Sequence, residues 1–226
     1  MRILALDTAT EACSVALGLG ERTLERYEEL ARGHADRLLP MVDELLAEAG
    51  ATLASLDAIA FGRGPGAFTG VRLAASVAQG LAFGADIGVV PVSDLAAVAQ
   101  RAANLDPSAR QVLAVNDARM REVYWAQFRV NPRLEPMGDE HVSAGAAVLL
   151  PDASAGPWLA VGRGLGASPE LAERCRAAGA GLHPDLLPRA TEVLQLARTA
   201  VAAGQILPAE RALPVYVRDR VVAVAP

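Results

Sequence analysis

Ile3-Leu4-Ala5-Leu6-Asp7-Thr8-Ala9-Thr10 carries an unbroken apolar run into an aspartate and a short polar turn. A run without charge or alternation reads as a strand buried on both faces, since a half-buried strand would alternate. Residues 13–17 read as a second strand and 22–28 as a third, joined through Gly18 and Gly20, which suit a tight hairpin turn. A helix follows, with Leu38, Leu39, Val42, Leu45 and Leu46 at i, i+1, i+4, i+7 and i+8 and Gly50 to close it. Residues 57–62 form the next expected strand, 70–84 a helix, 87–92 a short strand and 93–103 a helix. The first half therefore reads βββαβαβα.

Asn104-Leu105-Asp106-Pro107-Ser108 is a polar break, after which the same order restarts. Residues 112–117 form a strand that again ends on an aspartate, Asp117, and 121–130 alternate as its hairpin partner. A third strand is expected at 133–137, another at 159–161, and helices at 166–178 and 191–203. Two halves that each begin with a strand ending in aspartate and then a hairpin point to a duplicated α/β unit of the ribonuclease H-like kind. That is the two-lobed arrangement of actin-like ATPases. The expected lobes are 1–105 and 106–226.

With 226 residues and 52% apolar content, the chain can bury a full core and is not of the disordered class. Its net charge of −5 and pI of about 5.3 argue against binding nucleic acid alone, which needs clustered basic side chains against phosphates. All 21 basic residues are arginine, so neither a P-loop lysine nor lysine Schiff-base chemistry is available. Cys13 and Cys175 stand far apart without CxxC spacing and read as buried thiols. The first residues lack a signal-peptide pattern, and no apolar stretch reaches the roughly 18 residues of a membrane span. A cytoplasmic protein without membrane contact is expected.

Between the fourth strand and its helix lies Phe61-Gly62-Arg63-Gly64-Pro65-Gly66-Ala67-Phe68-Thr69-Gly70-Val71-Arg72. The glycines permit positive φ and close backbone approach, Pro65 stiffens the turn, and Thr69 can cap the first free N–H groups of the helix, a place that attracts anions. The stretch matches neither a P-loop nor a dinucleotide fingerprint, so it fits a structural turn as well as a ligand loop. Asp7 and Asp117 stand where actin-like ATPases hold a metal, ahead of glycine-rich turns that cradle phosphates. The turns after them, Thr8-Ala9-Thr10 and Ala118-Arg119-Met120-Arg121, have no glycine to bring amides onto a phosphate. Gly162-Arg163-Gly164-Leu165-Gly166 resembles a nucleotide-contacting loop and also the approach to a helix opened by Pro169. Asp7, Asp117, Gly162 and Gly164 are thus vestigial candidates, and no cofactor is assigned. His34, His141 and His183 are isolated, with no HxxxH, HExxH or GxSxG pattern, so no metal ligand or catalytic residue is assigned.

On the helix after the loop, Val71, Ala74, Ala75, Ala78, Leu81 and Ala82 form the stripe expected to face the sheet. Its opposite face carries Leu73, Val77, Gly80 and Gly84, with no charge where a solvated helix would show it. A second surface is expected to cover that face, either the leucine-striped helix of the same chain or a partner.

Several of these stretches, namely 3–10, His34-Ala35-Asp36-Arg37-Leu38-Leu39-Pro40, Gly64-Pro65-Gly66-Ala67-Phe68-Thr69-Gly70-Val71-Arg72, Asn116-Asp117-Ala118-Arg119 and Pro214-Val215-Tyr216-Val217-Arg218, resemble the TsaB (YeaZ) family. That family is the dimerisation subunit of the bacterial machinery making threonylcarbamoyladenosine in transfer RNA. The resemblance implies a two-lobed actin-like fold and a non-catalytic scaffold for the catalytic paralogue TsaD, with the ATPase TsaE joining the assembly. It also implies a homodimer when alone and contact with tRNA only via the complex. It places the partner surface on the first-lobe helices, here Leu38, Leu39, Val42, Leu45, Leu46, Thr69, Leu73, Val77, Gly80 and Gly84. The catalytic relative carries His-x-x-x-His after a similar Gly-Pro-Gly loop, where this chain reads Pro91-Val92-Ser93-Asp94-Leu95-Ala96-Ala97-Val98 and has no histidine. The rival readings are a metallopeptidase-like glycoprotease homologue, which would need that pair, and an actin-like-fold small-molecule kinase, which would need a nucleotide loop.

Overall fold

Strand alternation sorts the first sheet's side chains into two layers of different size. In the computed structural model, which describes residues 1–218, β1 (Arg2–Asp7), β2 (Ala12–Leu19) and β3 (Arg22–Glu29) form an antiparallel meander. β4 (Ala58–Gly62) and β5 (Gly88–Val92) add parallel to β1, giving the order β3-β2-β1-β4-β5. Leu4, Leu6, Val15, Leu17, Ile59 and Phe61 point to one face. There they meet α1 (His34–Ala49) and α2 (Phe68–Ala85). Ile3, Ala5, Ala16, Ala58 and Ala60 point to the other, where small side chains let a helix approach closely.

The second sheet repeats the plan. β6 (Gln111–Arg119), β7 (Glu122–Val130) and β8 (Leu134–Pro136) form a meander, and β10 (Trp158–Val161) and β11 (Gly181–His183) add parallel to β6. The order β11-β10-β6-β7-β8 is the first sheet's 3-2-1-4-5 order read from the other edge, with β9 (His141–Ala144) pairing to β7. The fold is therefore the two-lobed actin-like duplication. β9 and β11, four and three residues long, have too little pattern to be read in sequence. The expected helix at 166–178 is two pieces, α4 (Gly164–Ala167) and α5 (Pro169–Ala177), because Pro169 cannot continue a helix from Ser168 but can open one. Thr69 does not cap α2: the N-cap residue is Ala67, and Thr69 lies within the first turn.

The strands divide at the 104–108 break, but the helices cross it. α3 (Asp94–Leu105), capped by Ser93 Oγ accepting from Ala96 N at 3.1 Å, places Leu95, Val98, Ala99 and Ala102 against Val112, Ala114 and Phe128 of the second sheet. α6 (Ala190–Ala202) returns to the first sheet, where Val193, Leu194 and Ala197 cover its alanine-rich face. The amide of Ala190 is anchored there by Ser14 Oγ at 2.9 Å. α3 and α6 thus fill the space between the sheets and tie the two halves together.

One acidic group is enclosed in this layer. Glu192, in the first turn of α6, is buried with Arg101 of α3 and Glu25 of β3 nearby, and its Oε2 has no hydrogen-bond partner. Burial pushes its carboxyl from about 4.5 up to about 7, with Arg101 offsetting only part of that. The folded chain therefore keeps a proton that the unfolded chain loses, and stability falls as pH rises from about 4.5 to about 7. Glu192→Gln should remove this residue's share of the fall and raise stability at pH 8 relative to the parent by on the order of 2–3 kcal/mol, with little change at pH 5, measured by urea unfolding at both pH values.

Candidate functional site

The glycine loop leaves β4 at Gly62 and enters α2 at Phe68, and its missing side chains are accounted for within the chain. A Cβ on Gly66 would lie 2.4 Å from the Ala9 carbonyl oxygen, and one on Gly70 would lie 1.9 Å from that of Thr8. The start of α2 thus presses on the β1–β2 turn. Two hydrogen bonds hold it there, Ala67 N donating to Ala9 O and Thr8 Oγ1 donating to Gly70 O, both at 2.7 Å. Gly64, at φ +101°, donates its N–H to Asp94 Oδ2 at 2.5 Å and accepts from Asp94 N at 3.0 Å. The close backbone approach that suggested a ligand is made to the chain's own backbone.

The four vestigial candidates are also engaged internally. Asp7 is fully buried, with Oδ1 accepting from Ala9 N at 3.0 Å and Oδ2 turned toward Asp94. Burial raises both carboxyls, Asp94 the further because the Asp7 charge adds to it. Asp117 folds onto its own hairpin turn, accepting from Arg119 N at 2.7 Å and pairing with Arg119 Nη1 at 2.9 Å. That turn holds Arg119, Met120 and Arg121 in left-handed backbone at φ 62°, 53° and 61°. Gly162 and Gly164 are pressed on β6, where a Cβ would lie 2.3 Å from Val115 O and 2.5 Å from Val115 Cγ1 respectively. Beside the loop, Arg63 pairs with Glu140 of the second half at 3.0 and 3.2 Å, and Ser93 Oγ also bonds Glu140. His34 begins α1 with Nε2 3.0 Å from Thr10 O, His141 stacks on Trp125 at 4.6 Å, and His183 lies on β11. Among the described residues no cluster of three or more histidine, cysteine or acidic side chains is placed to hold a metal ion.

The outer helical face separates into core and surface. Leu38, Val42 and Leu45, named above for the partner surface, are instead buried beneath α1 together with Met41, in the cluster formed with the sheet and α2. The sequence stripe pointed them at the protein's own core. Leu46, Leu73 and Val77 are half-buried at the rim of that cluster, while Leu39 is 46% exposed and Thr69, Gly80 and Gly84 are exposed. A Cβ on Gly80 or Gly84 would meet nothing within 4 Å, so these glycines do not serve packing against the first helix or anything else in the described chain. Phe83, 78% exposed, and Phe68, 54% exposed, belong to the same helix and were not picked out in sequence, because neither lies on the uncharged stripe. Phe68 carries the Arg72 guanidinium 3.6 Å above its ring, and Arg72 Nε donates to Tyr216 Oη at 2.6 Å. Val215 N donates to Arg63 O at 2.8 Å, so the segment 213–216 borders the loop end of α2. Asp94 was also missed: an acid in a helix's first turn ordinarily complements the dipole, and only its burial marks it.

The family model described as "TsaD: tRNA N6-adenosine threonylcarbamoyltransferase" matches residues 25–178. The chain is 42% identical over 230 residues to the Escherichia coli (strain K12) protein called tRNA threonylcarbamoyladenosine biosynthesis protein TsaB, covering 98% of this chain and 96% of that protein. A Haemophilus influenzae protein of the same name is 58% identical over 129 residues, 56% of this chain and 53% of that one. Two solved structures from Pseudomonas aeruginosa superpose closely. A protein described as similar to peptidase YEAZ gives a TM-score of 0.88 at 49% identity, covering 96% of this chain and 99% of that one. One described as YeaZ gives 0.85 at 47%, covering 95% and 99%.

Two glycines of one helix are expected to respond with opposite signs. Gly70→Ala drives a methyl group into the Thr8 carbonyl and should cost about 3 kcal/mol. Gly80→Ala enters open space in a helix interior and should add about 0.5–1 kcal/mol. Thermal and urea unfolding of the two variants beside the parent chain would check both signs.

Proposed function

We propose, from the premise that the chain belongs to the TsaB (YeaZ) family, that it serves threonylcarbamoyladenosine biosynthesis as a non-catalytic scaffold subunit. In this reading it binds and supports TsaD, which transfers the threonylcarbamoyl group to the adenosine next to the tRNA anticodon. TsaE joins through the complex, tRNA is reached only through the complex, and two copies of the chain pair when TsaD is absent. The setting is the cytoplasm. No helix among the described residues is long and apolar enough to cross a membrane.

The observation that carries the reading is the outer face of α2. Leu73, Val77, Gly80 and Gly84 share it without a charge, Phe83 adds exposed apolar surface on the same helix and Leu39 on α1, and the glycines face open space. A helix that forgoes side chains at solvent-facing positions loses helical stability of about 0.5–1 kcal/mol per glycine, a loss that another backbone packed against it can offset. The interface assignment accordingly narrows to Leu39, Leu46, Thr69, Leu73, Val77, Gly80 and Gly84, with Phe83 added. Against a kinase or metallopeptidase reading weigh the internal engagement of the glycine loop and of Asp7, and the missing histidine pair in 91–98.

Gly80→Arg tests it without touching the core. The variant should fold with a melting temperature no lower than the parent's, yet lose roughly 30-fold or more in affinity for purified cognate TsaD, as expected when a central interface position is blocked. Size exclusion of the mixture and in vitro modification of tRNA measure this. Full complex formation and modification by Gly80→Arg, or no complex between TsaD and the parent chain, overturns the scaffold role.

A further inference from the structure

Two buried carboxyl groups meet beneath the glycine loop. Asp7 Oδ2 and Asp94 Oδ1 are both shut off from water, and no donor elsewhere in the described chain reaches either. Their other oxygens are committed, Asp7 Oδ1 to Ala9 N–H and Asp94 Oδ2 to Gly64 N–H. A Cβ on Gly62 would lie 2.5 Å from Asp94 Oδ1 and 3.0 Å from Asp7 Oδ2, so the glycine at the end of β4 makes room for this meeting. An ionised carboxylate only accepts hydrogen bonds, and two of them side by side in a water-free site carry both a desolvation cost and like-charge repulsion.

The surrounding charged and titratable groups leave that conflict in place. His34, at the start of α1, exerts a weak pull on Asp7 while its Nε2 faces Thr10 O. Cys13 of β2 is a buried thiol. Arg63 in the loop acts on Asp94 from a distance, with its guanidinium held by Glu140. One proton between the two orphan oxygens satisfies both at once.

We propose that Asp7 and Asp94 share a single proton, Asp94 as the acid and Asp7 as its acceptor, and that this bond latches the glycine loop to the ends of β1 and α3 and so fixes the seat of α2. Each carboxyl has one amide, Ala9 N–H for Asp7 and Gly64 N–H for Asp94, and Asp94 is the acid because its burial is reinforced by the Asp7 charge. In this state Asp94 grips Gly64 from both sides, accepting its N–H and donating its own N–H to the Gly64 carbonyl. Loss of the proton sets two negative charges against each other at the point where the loop is held. The latch stands on the carboxyl geometry, and only its consequence for partner binding rests on the scaffold reading.

Asp94→Asn is the informative variant, since an amide can accept from Gly64 N–H through one atom and donate to Asp7 through the other. Infrared difference spectra of parent against Asp94→Asn at pH 7 should contain the carbonyl stretch of a protonated carboxyl group. Both chains should also be unfolded in urea across pH, in a Glu192→Gln background that removes the other raised carboxyl. Because the folded pair holds a proton that unfolded aspartate releases, the parent's folding constant should fall tenfold per pH unit above about pH 5, levelling where the pair ionises. Asp94→Asn should lack that slope. Capture of purified cognate TsaD should weaken over the same range for the parent and stay constant for Asp94→Asn. Absence of the protonated-carboxyl band, or an unchanged slope in Asp94→Asn, overturns the shared proton. Band and slope with pH-independent TsaD capture overturn the link to α2, and no TsaD capture at any pH overturns the scaffold reading instead.

Discussion

The contact on which the rest depends is backbone against backbone: the first turn of α2 lies on the β1–β2 turn, at a distance no side chain permits. The Thr8 carbonyl occupies the space of a Gly70 side chain and the Ala9 carbonyl that of Gly66. This proximity lets Thr8 Oγ1 reach Gly70 O and Ala67 N reach Ala9 O. It also sets the direction of α2 over the sheet, with Val71, Ala74, Ala75, Ala78 and Ala82 buried and the opposite face left outward. Which face α2 leaves outward is thus decided at its N-terminus, by the absence of atoms.

The same economy of volume joins the lobes. On the inner face of the first sheet the side chains are mostly alanine, and α6 meets them with Ala190 and Ala197 beside Val193 and Leu194. Small residues on both sides bring α6 close, while α3 fills the second sheet's face with Leu95 and Val98. Exchange of these helices makes each half incomplete alone, since the first sheet lacks a cover without residues 190–202 and the second lacks one without 94–105. Large residues are reserved for the other layer, under α1 and α2.

The succession of strands and helices along the chain was legible because alternation and the glycine stops are local signals: β1, β2, β4 and α1 fall within about two residues of where the sequence puts them. The helix exchange was not, since it depends on which sheet α6 meets, and its amphipathic stripe is the same for either. At the candidate site the outer face of α2 was readable as a charge-free stripe. The division of α1 was not: Leu38, Leu39, Val42, Leu45 and Leu46 look equivalent by spacing, and only packing distinguishes the buried Leu38 from the exposed Leu39. Asp94 was illegible because a buried aspartate and a dipole-complementing one share a place in sequence, just after a Ser N-cap.

Glycines in this chain divide by what would fill the missing side chain, and that division says more than the motif they compose. At 62, 66 and 70 the space is taken by carboxylate or carbonyl oxygen of the same chain, so these positions tolerate no Cβ and specify the fold. At 80 and 84 the space is empty, so the fold would accept alanine there and gain helical stability from it. The fold itself has no use for a residue that weakens its helix, and the proposed scaffold role supplies one in a second helix laid across that face. One run of residues thus holds glycines fixed by contacts inside the chain and, further along the same helix, glycines that only the proposed scaffold role would use.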